Sequence, residues 1–318
     1  MSEIDFDPVK LTQSLVQCAS VTPKDEGALT IVENHLKTIG CDCHPLIFSG
    51  NNSYEVKNLF ATIGNDGKHF AYAGHTDVVP IGNESSWKYP PFSAKIDAGK
   101  LYGRGSEDMK SSVACFISAT KRFVDKYKNF QGKISFMITG DEERDSVNGT
   151  PRILQWASKQ NYKFDHCLVG EPTSKNEVGD KVKIGRRGSV SFFFQVKGIQ
   201  GHTANSHLAE NSSHHLVNLL NSILEESLDE GNENFLPTSV QIATIDIGNP
   251  VQNVIPELAK ATVNIRFNDM HSSDSLIKWI DNKIEKIFSK LENASCTYTY
   301  DATAESFLNK AGDLYNII

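Results

Sequence analysis

Apolar residues along the first half of the chain fall into two alternating kinds of run. Ala28 to Ile39 carries them at helical spacing and stops at Gly40, a residue suited to closing a helix. Asp7-Pro8 opens an earlier helix, reaching about Cys18, with Asp as the cap and Pro in the first turn. Met109 to Tyr127 and Thr150 to Ala157 also repeat like helices. Between them, Phe70 to Gly74 and Lys133 to Thr139 are short apolar runs that predict buried strands, and His166 to Gly170 predicts a third strand. Strands alternating with helices predict an α/β domain with parallel strands.

The pattern changes near Arg187. Strands are expected over Ser189–Val196, Val240–Ile247, Ala259–Phe267 and Cys296–Tyr300, with helices over Leu208–Leu228 and Ser275–Leu291. That order, β-α-β-β-α-β, predicts a ferredoxin-like α+β domain over 188–300, inserted into a first domain made of 1–187 and 301–318. No internal repeat or low-complexity tract interrupts either part.

Composition narrows the function. With 318 residues, 39% of them apolar, the chain has material for two cores. Its net charge of −7 is spread along the length without a basic groove, which argues against nucleic acid as a partner. No apolar run approaches the roughly 20 residues that span a bilayer. The start, Met1-Ser2-Glu3-Ile4-Asp5, lacks the apolar segment of a secretory signal, so a cytoplasmic protein is expected. Six scattered cysteines are too sparse for a disulfide framework, and Cys41-Asp42-Cys43-His44 has no second pair at zinc-ribbon spacing.

The candidate chemistry sits at predicted strand ends. His75 and Asp77 follow the strand at 70–74, Asp141-Glu142-Glu143 the strand at 133–139, and Glu171 the strand at 166–170. Asp108 lies in the Gly-rich turn Gly103-Arg104-Gly105-Ser106-Glu107-Asp108, just before a helix. Each alone reads as an ordinary loop or capping residue. Together they would meet at the rim where open α/β sheets bind ligands. So many anions in one place require cations, and a mixed imidazole and carboxylate set suits zinc, cobalt or manganese. A phosphate-binding loop is not expected, because Gly103-x-Gly105 lacks a third Gly and no Walker lysine follows.

These residues carry a family resemblance. Gly74-His75-Thr76-Asp77-Val78-Val79-Pro80, Leu101-Tyr102-Gly103-Arg104-Gly105 with Asp108-Met109-Lys110, Asp141-Glu142-Glu143 and Gly170-Glu171-Pro172 resemble the M20 family of metallopeptidases and deacylases. Gly185-Arg186-Arg187-Gly188-Ser189, Gln200-Gly201-His202, Asn253-Val254-Ile255-Pro256 and Asn264-Ile265-Arg266-Phe267 are similar to its branch that removes succinyl groups from a diamino diacid on the route to lysine. The resemblance implies a zinc-exopeptidase-like catalytic domain with a central mixed, mostly parallel sheet. It also implies that 188–300 is a lid that forms a homodimer. Two zinc or cobalt ions per subunit would be held by His75, Asp108, Glu143 and Glu171, with Asp108 bridging. Asp77 would orient His75, Glu142 would be the general base, and His202 would stabilise the oxyanion from across the dimer. Arg186, Asn253 and Arg266 would hold the carboxylates of a small-molecule substrate.

The sequence also departs from that family. Members carry a last histidine ligand of the second ion, and here none follows His271. The resemblance therefore implies a C-terminally truncated chain with an impaired second site, poorly active and weakly stable. Glu107, Ser111, Arg144, Asn205 and Ser206 stand where other residues are usual. The alternatives are another deacylase or dipeptidase of the family, acetylornithine deacetylase-like, or a non-catalytic remnant that dimerises.

Overall fold

The computed structural model describes residues 4–50, 52–309 and 312–317, so Met1–Glu3 of the acidic start lie outside it. The chain divides into two compact units, Met1–Asp180 and Lys181–Ile318. The first contains α1 (Pro8–Gln17), α2 (Ala28–Ile39), β1 (Asp42–Gly50), β2 (Ser53–Gly64), β3 (His69–His75), β4 (Lys95–Asp97), β5 (Lys100–Tyr102), α3 (Ser111–Lys126), β6 (Lys133–Thr139), α4 (Thr150–Lys159) and β7 (His166–Val169). Local chemistry sets the helix ends. The Asp7 carboxylate accepts from the backbone N–H groups of Val9 and Lys10 at 2.8 and 3.4 Å. Gly40 closes α2 in the left-handed region, at φ +100°.

The sheet runs β1-β2-β6-β3-β7. Its strands alternate between two apolar layers, as a two-residue period requires. Leu59, Tyr72, Phe136 and Ile138 pack with α1, α2 and α3, whereas Phe60, Ala71, Ala73 and Met137 pack with Ile153 and Ala157 of α4. Helices thus cover both faces, the α/β arrangement expected. The expectation of a mostly parallel sheet needs correction. β3 is parallel to β6 and to β7, but β1–β2 and β2–β6 are antiparallel. β1 escapes a reading by pattern because it is an edge strand, half-buried to exposed along its length and carrying Pro45.

The second unit contains β8 (Gly185–Arg186), β9 (Gly188–Lys197), β10 (Gly201–His202), α5 (Ser212–Leu224), β11 (Ser239–Asp246), β12 (Val254–Ile255), β13 (Leu258–Phe267), α6 (Ser273–Phe288), β14 (Ser295–Ala304), β15 (Phe307–Leu308) and α7 (Asp313–Ile317). Its main sheet, β11-β13-β9-β14, is antiparallel throughout, with strand order and connections of the ferredoxin type. Phe192, Phe194 and Val196 of β9 point inward against Leu216, Leu220 and Ile280, while Phe193 between them is 44% exposed. Residues 301–318 were expected to return to the first domain. Here β14 extends to Ala304, and Phe307 and Leu308 pair with Arg186 and Gly185, which ties this stretch to the second unit. Among the described residues no helix is long and apolar enough to cross a membrane.

The alternation along β9 is directly testable. Phe192→Ala should destabilise the protein by roughly 3–5 kcal/mol. Phe193→Ala, one residue on, should cost about 1 kcal/mol. Urea titration of each variant would show it; equal losses would mean that the inward and outward faces have been misassigned.

Candidate metal centre

The three strands β6, β3 and β7 point the same way, so their carboxyl ends share one rim. His75 is the last residue of β3, Glu142 and Glu143 follow β6, and Glu171 follows β7. The approach of β7 depends on Gly170: a Cβ there would lie 2.2 Å from the Tyr72 hydroxyl and 2.3 Å from the Ser112 hydroxyl. Asp108 comes from the turn before α3. That turn needs Gly105, which has φ +78° and has Val78 only 2.6 Å from where a Cβ would be. The peptide bond after Asp108 is cis.

These elements bring the first-domain candidates together. The fully buried His75 ring directs Nε2 toward Asp108 at 3.2 Å, Glu171 at 3.6 Å and Glu142 at 3.9 Å. Ligand atoms of His75, Asp108 and Glu143 lie within 4.8 Å of one another, as do those of His75, Glu142 and Glu171. On its other side, His75 Nδ1 lies 2.9 Å from the Asp77 carbonyl oxygen and 3.5 Å from the Asp77 carboxylate. A proton on Nδ1 satisfies that contact and leaves Nε2 free as a ligand.

Asp77 joins several parts of the rim. Its buried carboxylate accepts from the Thr22 hydroxyl at 2.7 Å and from the backbone N–H groups of Glu142 and Glu143 at 3.2 Å. Burial alone would raise its pKa, but the bonds from His75 and Thr22 hold it below the ordinary carboxylate range. The neighbouring turn is fixed by Lys110, whose fully buried ammonium donates to the carbonyls of Leu15 and Cys18 at the end of α1. Neither Thr22 nor Lys110 was singled out from sequence. Lys110 lay inside a noted motif, but nothing in the sequence ties Thr22 to a residue so far along the chain.

The electrostatics favour positive charge at the rim. Burial, then the Asp108 and Glu142 carboxylates, raise Glu171 to about 7 against the pull of His75. Glu143 is raised by burial and by the same carboxylates, again against His75. Burial would lower His75, but Asp77 and Glu171 raise it to about 9. Without metal, then, His75 and Glu171 hold their protons more readily than such groups ordinarily do. Divalent ions relieve the same repulsion by displacing them. One imidazole with several carboxylates, the imidazole oriented from behind by Asp77, is a donor set that fits a divalent metal of the zinc class.

The remaining candidates belong to the second unit. His202 and Asn253 are neighbours there: Asn253 Nδ2 is 3.5 Å from His202 Nε2, and the Asn253 carbonyl accepts from Thr203 N at 3.0 Å. The backbone N–H of Ala204 donates to His202 Nδ1 at 3.1 Å. Arg266 is exposed on β13, opposite Ser189 and Ser239. Arg186 is exposed on β8, opposite Phe307.

Comparison with known proteins agrees with this geometry. A profile of peptidase family M20/M25/M40 matches residues 71–305. The succinyl-diaminopimelate desuccinylase of Parvibaculum lavamentivorans is 43% identical over 307 residues, 96% of this chain and 77% of its own length. Among solved structures, aminopeptidase PepT from Bacillus cereus superposes with a TM-score of 0.73 at 16% identity, covering 98% of this chain and 79% of its own. The Bacillus subtilis YXEP protein, a dinuclear metal-binding peptidase, gives 0.62 at 14% identity over 95% and 75%. At these identities the structures show the shared fold.

The Asp77 network should be measurable through metal affinity. Thr22→Val removes one hydroxyl from the Asp77 carboxylate and should weaken zinc binding by about 10- to 100-fold. Competition against a chromophoric chelator would read the change; an unaltered affinity would show that Thr22 does not support the site.

Proposed function

This chain belongs to peptidase family M20/M25/M40, a family of hydrolases, and we propose that it is a succinyl-diaminopimelate desuccinylase. The reaction is hydrolysis of N-succinyl-LL-2,6-diaminopimelate to succinate and LL-2,6-diaminopimelate, a step toward lysine. The observation that carries this reading is the rim cluster of His75, Asp108, Glu142, Glu143 and Glu171 in a chain so close to a desuccinylase over nearly its whole length.

In this reading His75, Asp108 and Glu171 would hold one zinc or cobalt ion, and Asp108 with Glu143 a second. Such ions polarise an amide carbonyl and acidify water. Glu142 is the base: it takes a proton from water as the oxygen bonds to the succinyl carbonyl carbon. It then returns that proton to the nitrogen as the carbon–nitrogen bond breaks, so no net proton is consumed. Asp77 keeps the His75 tautomer that presents Nε2. His202 would stabilise the oxyanion from across a homodimer formed through 188–300, in a cytoplasmic enzyme. Arg186, Arg266 and Asn253 would hold substrate carboxylates, the arginines by paired hydrogen bonds.

A substrate panel tests this. Zinc- or cobalt-loaded protein should prefer N-succinyl-LL-2,6-diaminopimelate over N-acetylornithine and over dipeptides; preference for either competitor would reassign the substrate within the family. Glu142→Gln should lower kcat by roughly 10²–10⁴-fold while metal content, read by elemental analysis, stays the same. A variant that keeps full activity would remove Glu142 from the base role.

A further inference from the structure

The stretch that carries Glu142 and Glu143 is held from two sides. Asp77 grips the backbone of both residues from one side. From the other side the grip comes from β2. The Tyr54 hydroxyl donates to Asp141 Oδ1 at 2.5 Å and accepts from the backbone N–H of Asp145 at 3.3 Å. One phenol oxygen therefore touches both ends of the segment Asp141-Glu142-Glu143-Arg144-Asp145. Neighbouring bonds reinforce the same seam. Ser53 donates to the Asp145 carboxylate at 2.9 Å, and Asn148 donates to the Tyr54 carbonyl at 2.8 Å. The Arg144 guanidinium lies 5.5 Å from the centre of the Tyr54 ring.

Asp141 makes this contact a demanding one. The residue is 1% exposed, and its second carboxylate oxygen, Oδ2, has no hydrogen-bond partner. Among the described residues the Tyr54 hydroxyl is thus the one donor that reaches this buried side chain. A buried carboxylate with a single donor fixes that donor's position strictly, because losing it leaves the charge uncompensated.

We infer that Tyr54 is a positioning residue for the reaction: through Asp141 and Asp145 it sets where Glu142 and Glu143 stand relative to His75. The inference rests on the reading of Glu142 as the base and Glu143 as a ligand. The contacts of Tyr54 are with the 141–145 segment, Asn148 and the Arg144 guanidinium. Its effect is geometric, and small misplacements of catalytic groups are costly in rate.

The test must separate positioning from stability. Tyr54→Phe alone strands the Asp141 charge and should lower Tm. Tyr54→Phe combined with Asp141→Asn removes that charge and should bring Tm back toward the parent. Positioning predicts that the double variant nonetheless keeps a kcat reduced about 10- to 100-fold with KM unchanged, and binds zinc about tenfold more weakly. A double variant with parental kcat overturns the inference, even if the single variant fails to fold. If the parent protein hydrolyses nothing on the panel, the functional reading fails separately. Zinc affinity then decides the matter alone: parental affinity in the double variant overturns the inference, and weakened affinity supports it.

Discussion

Repulsion among carboxylates is the constraint around which the first unit is built. His75, Asp108, Glu142, Glu143 and Glu171 place ligand atoms within 4.8 Å of one another in overlapping groups. Two like charges at such a distance repel by about 3–4 kcal/mol at an effective dielectric of ~20. Asp108 and Glu142 are each about half exposed, and solvent screens them. Glu171 is less so, and burial together with the neighbouring carboxylates raises its pKa to about 7. A fold that merely needed stability would not converge these groups. One that must hold divalent ions has to, and must also keep the donors from drifting apart.

The scaffold meets that demand by backbone rather than side-chain adjustment. Parallel β6, β3 and β7 deliver three chain segments to one rim, and glycines at 105 and 170 let the flanking turns close in. Asp77 then couples the segments: it lies two residues beyond His75, faces that ring, and accepts from the backbone of the Glu142-Glu143 turn and from the hydroxyl of Thr22. Because its partners are donors that persist whether or not an ion is bound, Asp77 is held below the ordinary carboxylate range while Glu143 and Glu171 are raised above it. It can therefore orient His75 in both states.

The sequence disclosed the parts of this arrangement that charge and periodicity govern. β3 and β6 are short, apolar and largely buried, and β7, though a half-exposed edge strand, is a short apolar run as well, so they stand out, and the acids at their ends follow from where the apolar runs stop. The ferredoxin-like order of the second unit was legible for the same reason, since β9 and β13 are inward-facing at alternate residues. The β1–β2 hairpin was not, because a half-exposed edge strand lacks an apolar signature, and with it went the antiparallel half of the sheet. Thr22, Lys110 and Tyr54 were equally hidden. Each acts through one hydrogen bond or two to a residue far away in the chain, and a lone hydroxyl or ammonium has no periodicity to betray it.

The same distinction separates the chemistry of this protein from its specificity. A cluster of acids converging on a buried imidazole is a donor set that suits a divalent metal, so its presence bears directly on function. Exposed arginines such as Arg186 and Arg266 are physically ordinary, and burial does not mark them out. Hydrolysis thus rests on geometry within the first unit, whereas the identity of the acyl group rests on the 43% identity to a desuccinylase. Chemistry of this kind is conveyed by the fold, and substrate choice by surface residues that the fold leaves free to vary.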